Sequence, residues 1–163
     1  MFAALTVGEH NRLMKWQIPF FETTEARGKF TLVRIQAVYD GGLRCTATHG
    51  PSGETLVTDA PVDNKGKGES FSPTDLLATS MLNCMMTIIA IAADSRELDV
   101  SGMSGSVEKI MAEGPRRVAR LEVEITMPAA LSSEDREFLI KRGMACPVHK
   151  SVSDHMELDV NFN

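Results

Sequence analysis

Two of the three cysteines stand at positions where a thiol could do chemistry. Cys84 lies in the middle of an apolar segment, residues 76–93, and Cys146 directly precedes Pro147 at the predicted start of a short helix. Helix N-termini are where cysteines of low pKa occur, because unpaired backbone N–H groups favour an anion. Burial instead raises the pKa of a thiol, so Cys84 needs a nearby cation or donor to become a nucleophile. For both residues the alternative is a packing or capping role without chemistry.

The third cysteine and the histidines are weaker candidates. Cys45 lies on a predicted strand next to Arg44, and we interpret it as a packing residue. His149 follows Cys146 by one turn and could face it, but no third group that would orient a Cys–His pair is evident. Neither a CxxC nor an HxxxH spacing is present, even when His155 is included, so the sequence predicts no metal site and no cofactor.

The bulk properties are those of a globular protein in a reducing compartment. The chain has 163 residues, a net charge of −5 and only three cysteines, too few for a disulfide framework. The acidic balance argues against nucleic acid as a partner. Because Glu9 and His10 interrupt the first apolar run, no secretory signal is predicted, and we expect a cytoplasmic protein.

The order of predicted elements indicates an α+β fold. Residues 1–28 show no clean period and are interpreted as an N-terminal arm, which leaves one domain over residues 29–163. Alternating apolar residues and turn signals predict strands over residues 31–39, 43–49, 54–59, 103–111, 117–127 and 156–162.

Helix signals are strongest in the middle of the chain. Ser72, Pro73 and Asp75 form a predicted N-cap and capping box for a helix that ends at about Asp94. This helix is apolar nearly all round, so we expect a core helix enclosed on most sides rather than a membrane span. A second helix follows Ser132, with Gly143 as its predicted terminator.

Two segments carry a family resemblance. The sequence FSPTDLLATSMLNCM, residues 71–85, resembles the central-helix motif of the OsmC/Ohr family, and CPVHKSV, residues 146–152, resembles its second cysteine motif. The resemblance implies an intertwined homodimer in which antiparallel sheets wrap around central buried helices. It also implies a thiol-dependent peroxidase acting on organic hydroperoxides, in which Cys84 becomes a sulfenic acid, Cys146 resolves it to a disulfide, and a dithiol reductant reopens the disulfide.

The sequence departs from the family pattern beside the first cysteine. Family peroxidases carry a Glu directly after the helix-opening Pro and an Arg from the first hairpin, which together activate the thiol. Here Thr74 occupies the Glu position, Asp75 is better explained by capping, and Arg44 is the nearest candidate for the Arg, followed by Arg34. The segment DAP, residues 59–61, resembles a less characterised OsmC-like subgroup. A non-catalytic dimer that binds a small apolar ligand or senses redox state therefore remains the alternative.

Overall fold

Two three-stranded sheets and three α-helices make up the part of the chain that the computed structural model describes, residues 32–152 and 156–163. The predicted arm, residues 1–28, lies outside this part. The elements follow one another as β1 (Ile35–Gly41), β2 (Arg44–His49), β3 (Thr55–Asp59), α1 (Pro73–Asp94), β4 (Ser104–Glu113), β5 (Arg116–Thr126), α2 (Ser133–Met144), α3 (Pro147–Val152) and β6 (Glu157–Phe162). The predicted α+β class and element order are confirmed.

The first sheet is an antiparallel meander of β1, β2 and β3. Gly41 and Gly42 turn the chain between β1 and β2 with φ angles of +86° and +59°, which glycine adopts without a steric cost. In the described residues this sheet makes no extensive contact with the helices or the second sheet. Several of its large apolar side chains are consequently exposed: Ile35, Val38, Tyr39, Leu43, Leu56 and Val57.

The start of α1 is fixed by the predicted capping box. Ser72 Oγ accepts a hydrogen bond from the Asp75 N–H at 3.1 Å, and Asp75 Oδ2 accepts one from the Ser72 N–H at 2.8 Å. Pro73 occupies the first helical position, where no backbone donor is needed. The helix begins at Pro73 and ends at Asp94, so both predicted ends are confirmed.

One face of α1 forms the core with the second sheet. Its completely buried residues include Met81, Met85 and Ile89. They pack in one apolar cluster with alternate residues of β5, namely Leu121, Val123 and Ile125. Although α1 is long and apolar enough to cross a membrane, it packs on α2, α3, β4 and β5 as a core helix does.

The second sheet has the order β4-β5-β6 and is mixed. β4 and β5 pair antiparallel, but β6 runs parallel to β5. The expectation of wholly antiparallel sheets is wrong at this one strand. The physical reason is the connection between the two strands. α2 and α3 lie between β5 and β6 and return the chain to the end of the sheet where β5 begins, as parallel pairing requires.

Gly143 lies inside α2 and does not end it, contrary to the prediction. The helix continues to Met144, and a Cβ on Gly143 would lie 2.9 Å from Ile89 Cδ1 of α1. The glycine therefore allows the two helices to approach closely, a requirement that a terminator pattern does not reveal.

Candidate functional site

The fold brings Cys84 and Cys146 together. Cys84 is partly buried near the middle of α1, and it packs against the core cluster that includes Cys146. Cys146 is completely buried in the link between α2 and α3, and both thiols are free. The Cys84 thiol is a neighbour of Cys146 and raises the pKa of the Cys146 thiol. Two cysteines far apart in sequence, which we call the dithiol site, thus lie close together in the fold.

The protonation of Cys146 differs from the prediction. Burial raises the pKa of the Cys146 thiol above its ordinary value of 9.0, and the neighbouring Cys84 raises it further. Hydrogen bonds from the backbone N–H groups of His149 and Val148 act in the opposite direction but do not outweigh burial. The expectation of a low-pKa thiol at this helix start is therefore wrong, because the loss of hydration dominates.

Several hydrogen bonds hold the link between α2 and α3 that carries Cys146. Cys146 donates its N–H to the carbonyl of Gly143 at 3.1 Å and accepts from the Lys150 N–H at 3.2 Å. The His149 N–H donates to Cys146 Sγ at 3.3 Å. The His149 ring faces elsewhere, with Nδ1 2.8 Å from the carbonyl oxygen of Met144. The His149 ring thus bonds to a backbone carbonyl, and no imidazole within residues 32–152 and 156–163 pairs with a cysteine sulfur.

Arg44 is held by two carboxylates. Its Nη2 lies 2.7 Å from Glu69 Oε2 and 3.6 Å from Asp59 Oδ2. In the described part of a single chain, no ion pair or hydrogen bond joins Arg44 to Cys84 or Cys146. The structure therefore does not place this arginine at the thiols within one chain.

Asp59 organises the loop that follows β3. Its side chain is completely buried, and Oδ2 accepts the N–H of Glu69 at 2.9 Å. That hydrogen bond is the main cause of a lowered pKa; burial opposes it, and the charge of Arg44 assists. Oδ1 of Asp59 and Nε of Arg44 are both buried and have no hydrogen-bond partner among the described residues. Sequence reasoning noted the DAP segment but assigned this aspartate no role.

No role for Lys109 was predicted from the sequence. From β4 its Nζ reaches Thr74 Oγ1 at 2.9 Å and Asp75 Oδ1 at 2.5 Å. Burial raises the pKa of Asp75, but the hydrogen bonds from Lys109 and Ser72 outweigh this and leave that pKa lowered. No sequence signal pairs β4 with the helix start. Thr74 precedes Cys84 by ten residues, roughly 15 Å along the helix axis, so this lysine does not serve the thiol directly.

An open cleft of about 770 Å³ surrounds this lysine. It is lined by the loop Gly68–Phe71, the start of α1 at Asp75, Ala78 and Thr79, and Val107 and Lys109 of β4. Asp75 precedes Cys84 by nine residues, about 180° around the helix. The cleft and the dithiol site therefore lie on opposite faces of α1.

The described residues contain no group of three or more His, Cys, Asp or Glu side chains that could hold a metal ion. His155, one of the ligands considered from the sequence, lies outside the described residues.

Comparison with known proteins decides the family. The profile of the OsmC-like protein family matches residues 66–161, more than half of the chain and a span that includes both Cys84 and Cys146. The chain belongs to the OsmC-like family. None of the curated proteins compared with it gives a match.

Solved structures agree with the OsmC-like assignment. A provisionally named osmotic stress induced and detoxification response protein from Psychrobacter arcticus is 41% identical, with a TM-score of 0.77 over 82% of this chain and 98% of its own. An organic hydroperoxide resistance protein, OsmC, from Legionella pneumophila is 15% identical, with a TM-score of 0.67 and coverages of 82% and 98%. An organic hydroperoxide resistance protein from Elizabethkingia anophelis is 14% identical, with a TM-score of 0.63 and coverages of 83% and 98%. At these lower identities the likeness shows the OsmC fold alone.

Proposed function

We propose that this OsmC-like protein is a thiol-dependent peroxidase that reduces organic hydroperoxides with Cys84 and Cys146. The observation that carries the proposal is that Cys84 and Cys146, 62 residues apart in sequence, are neighbours in one apolar cluster. An apolar environment suits a lipophilic peroxide, and a neighbouring thiol protects a sulfenic acid from further oxidation. The names of the structural relatives from Legionella and Elizabethkingia, organic hydroperoxide resistance proteins, support the same role.

The reaction balances with one dithiol as reductant. The Cys84 sulfur attacks the outer peroxide oxygen, the O–O bond breaks, and the thiol proton leaves with the alcohol, so that Cys84 becomes a sulfenic acid. Cys146 then attacks the sulfenic sulfur, a disulfide forms, and water leaves. A dithiol reduces the disulfide and is itself oxidised to a disulfide.

The activating cation is proposed to be Arg44, delivered in a homodimer. Arg44 does not reach the thiols within its own chain, while the first sheet that carries it leaves apolar side chains exposed. The outer side of α1 also leaves an apolar side chain in contact with solvent, since Ile91 is 63% exposed. A second copy of the chain that covers both surfaces would bury this apolar area and bring Arg44 of one chain towards Cys84 of the other.

Peroxide consumption tests the catalytic proposal. We expect the wild type to consume cumene hydroperoxide faster than hydrogen peroxide with dithiothreitol as reductant, and Cys84→Ser to consume neither. Cys146→Ser should accumulate sulfinic acid at Cys84, detected as a gain in mass. Cys45→Ser is the matched control and should behave as wild type, because Cys45 lies on β2 of the first sheet. Consumption by Cys84→Ser at the wild-type rate would end the proposal.

Sedimentation of the reduced protein tests the dimer. We expect a mass of twice the 17.8 kDa chain, and a shift towards 17.8 kDa when Ile91→Asp places a charge on the outer side of α1. Asp94→Asn, an exposed change three residues further along the same helix, is the control and should leave the dimer intact. A wild-type protein of 17.8 kDa at all concentrations would contradict the dimer and the delivery of Arg44.

The cleft around Lys109 favours a second candidate function, the binding of a small ligand without catalysis. It combines an apolar wall at Phe71, Ala78 and Val107 with the charged side chains of Glu69, Asp75 and Lys109, and a mainly apolar lining with a few polar groups is typical of small-molecule sites. An uncharged apolar dye such as Nile red is a direct probe, because Glu69 and Asp75 leave the cleft without a net positive charge. Saturable binding that Thr79→Trp abolishes and Cys84→Ser preserves, in a protein without peroxidase activity, would favour this candidate over the enzyme.

A further inference from the structure

His149 joins the two helices on either side of Cys146. Its Nδ1 lies 2.8 Å from the carbonyl oxygen of Met144, the last residue of α2, while His149 itself belongs to α3. A carbonyl oxygen can only accept, so Nδ1 carries the proton and donates it. The imidazole therefore closes a ring across the short link formed by Ala145 and Cys146.

The same residue touches the sulfur through its main chain. The His149 N–H donates to Cys146 Sγ at 3.3 Å and is the largest influence that lowers the pKa of this buried thiol. The direction of that N–H depends on where α3 begins relative to α2. The ring hydrogen bond to Met144 is the side-chain contact that joins α3 to the end of α2 here, beside the backbone hydrogen bonds of the link. Its loss would therefore act on the sulfur indirectly.

We propose that His149 is a positioning residue for the resolving step, holding Cys146 where it can attack the Cys84 sulfenic acid. The proposal rests on the proposed peroxidase function and deepens it. The step forms the Cys84–Cys146 bond and breaks the S–O bond of the sulfenic acid. The hydroxyl leaves as water with the proton of the Cys146 thiol. His149 is not required to transfer a proton in this step, because its ring donates to a backbone carbonyl.

Two substitutions separate the hydrogen bond from the bulk of the ring. His149→Leu keeps a branched side chain of similar reach but has no donor. His149→Asn places an amide N–H close to the position of Nδ1, so it can still donate to Met144. Lys150→Leu, an exposed change on the same helix, controls for general effects on α3.

The assay follows both steps after addition of cumene hydroperoxide to the reduced full-length protein. A sulfenic-acid trap and mass spectrometry measure the rate at which Cys84 is oxidised and the rate at which the disulfide appears. We expect Cys84 oxidation to be unchanged in all variants. Disulfide formation should slow about fivefold in His149→Leu, the order of effect of one lost hydrogen bond, and stay within about twofold of wild type in His149→Asn and Lys150→Leu.

A second oxidant separates failure of this inference from failure of the proposed function. Diamide oxidises dithiols directly and forms the Cys84–Cys146 disulfide without any peroxidase activity. If peroxide never oxidises Cys84, the peroxidase proposal fails, and the order of rates with diamide still tests the positioning role. Wild-type disulfide formation in His149→Leu with both oxidants overturns the inference. A His149→Asn variant as slow as His149→Leu also overturns it, because the hydrogen bond to Met144 would then not be the cause.

Discussion

Replacing Gly143 by alanine tests how closely α2 must approach α1. The new Cβ would lie 2.9 Å from Ile89 Cδ1 and 3.0 Å from Ile89 Cγ1, inside ordinary contact distance. Ile89 is completely buried, so its side chain has little room to withdraw. Gly143→Ala must therefore displace either this side chain or the end of α2.

Two opposing effects set the magnitude. Alanine in place of glycine inside a helix favours folding by about 1 kcal/mol. Overfilling a packed core costs about 1–3 kcal/mol. Because two side-chain atoms of Ile89 are too close, we expect the cost of overfilling to exceed the gain in helix propensity. The free energy of unfolding should then fall by about 1 kcal/mol.

Urea unfolding of the reduced protein, at one fixed protein concentration, measures this change in the free energy of unfolding. Ile89→Val removes Cδ1, the closest atom, and completes a double-mutant cycle. On its own Ile89→Val should cost about 1 kcal/mol, as Ile→Val changes in cores do. In the Gly143→Ala background we expect it to cost much less, because it relieves the contact.

The same substitution should reach the dithiol site. Cys146 donates its N–H to the Gly143 carbonyl at 3.1 Å, so a displaced helix end shifts the sulfur from Cys84 and slows disulfide formation. A Gly143→Ala protein more stable than wild type by about 1 kcal/mol, with no coupling to Ile89→Val, would refute the reasoning. The helix propensity of alanine would then act alone.

Three further predictions follow from the caps and the titrating groups. Ser72→Ala should lower the free energy of unfolding by about 1 kcal/mol because Asp75 loses its capping partner, and an unchanged urea midpoint would contradict the cap. Asp59→Asn should destabilise the protein at neutral pH. Since the pKa of Asp59 is lowered from 3.8, that difference should vanish as the pH falls well below 3.8, and a constant difference would show that charge is not its cause. The pKa of Cys146 is raised above 9.0, so disulfide formation with Cys84 should accelerate as the pH rises to 9.0, measured by mass after diamide treatment; a rate independent of pH would contradict the burial of a protonated thiol.

Local patterns in the sequence determined much of the fold. The bounds of α1 follow from hydrogen bonds between residues three apart, Ser72 and Asp75, and from the φ angle that Pro73 imposes. The strand β5 follows from the alternation of Leu121, Val123 and Ile125 with polar residues. The two cysteine motifs identified the family, which the profile match over residues 66–161 confirms. The peroxidase activity stays a prediction.

The tertiary structure decided the features that depend on contacts between distant segments. It placed Lys109 against Thr74, reversed the expected pKa shift of Cys146, and kept Arg44 with Asp59 and Glu69 rather than at the thiols.

Contacts between distant segments also decided the close approach of Gly143 to Ile89 and the parallel pairing of β6. Periodicity and capping depend on neighbours within one helical turn or one strand, and the sequence shows those neighbours directly. Burial, charge pairing and helix spacing depend on which distant residues share a volume, and only packing of the whole domain determines that.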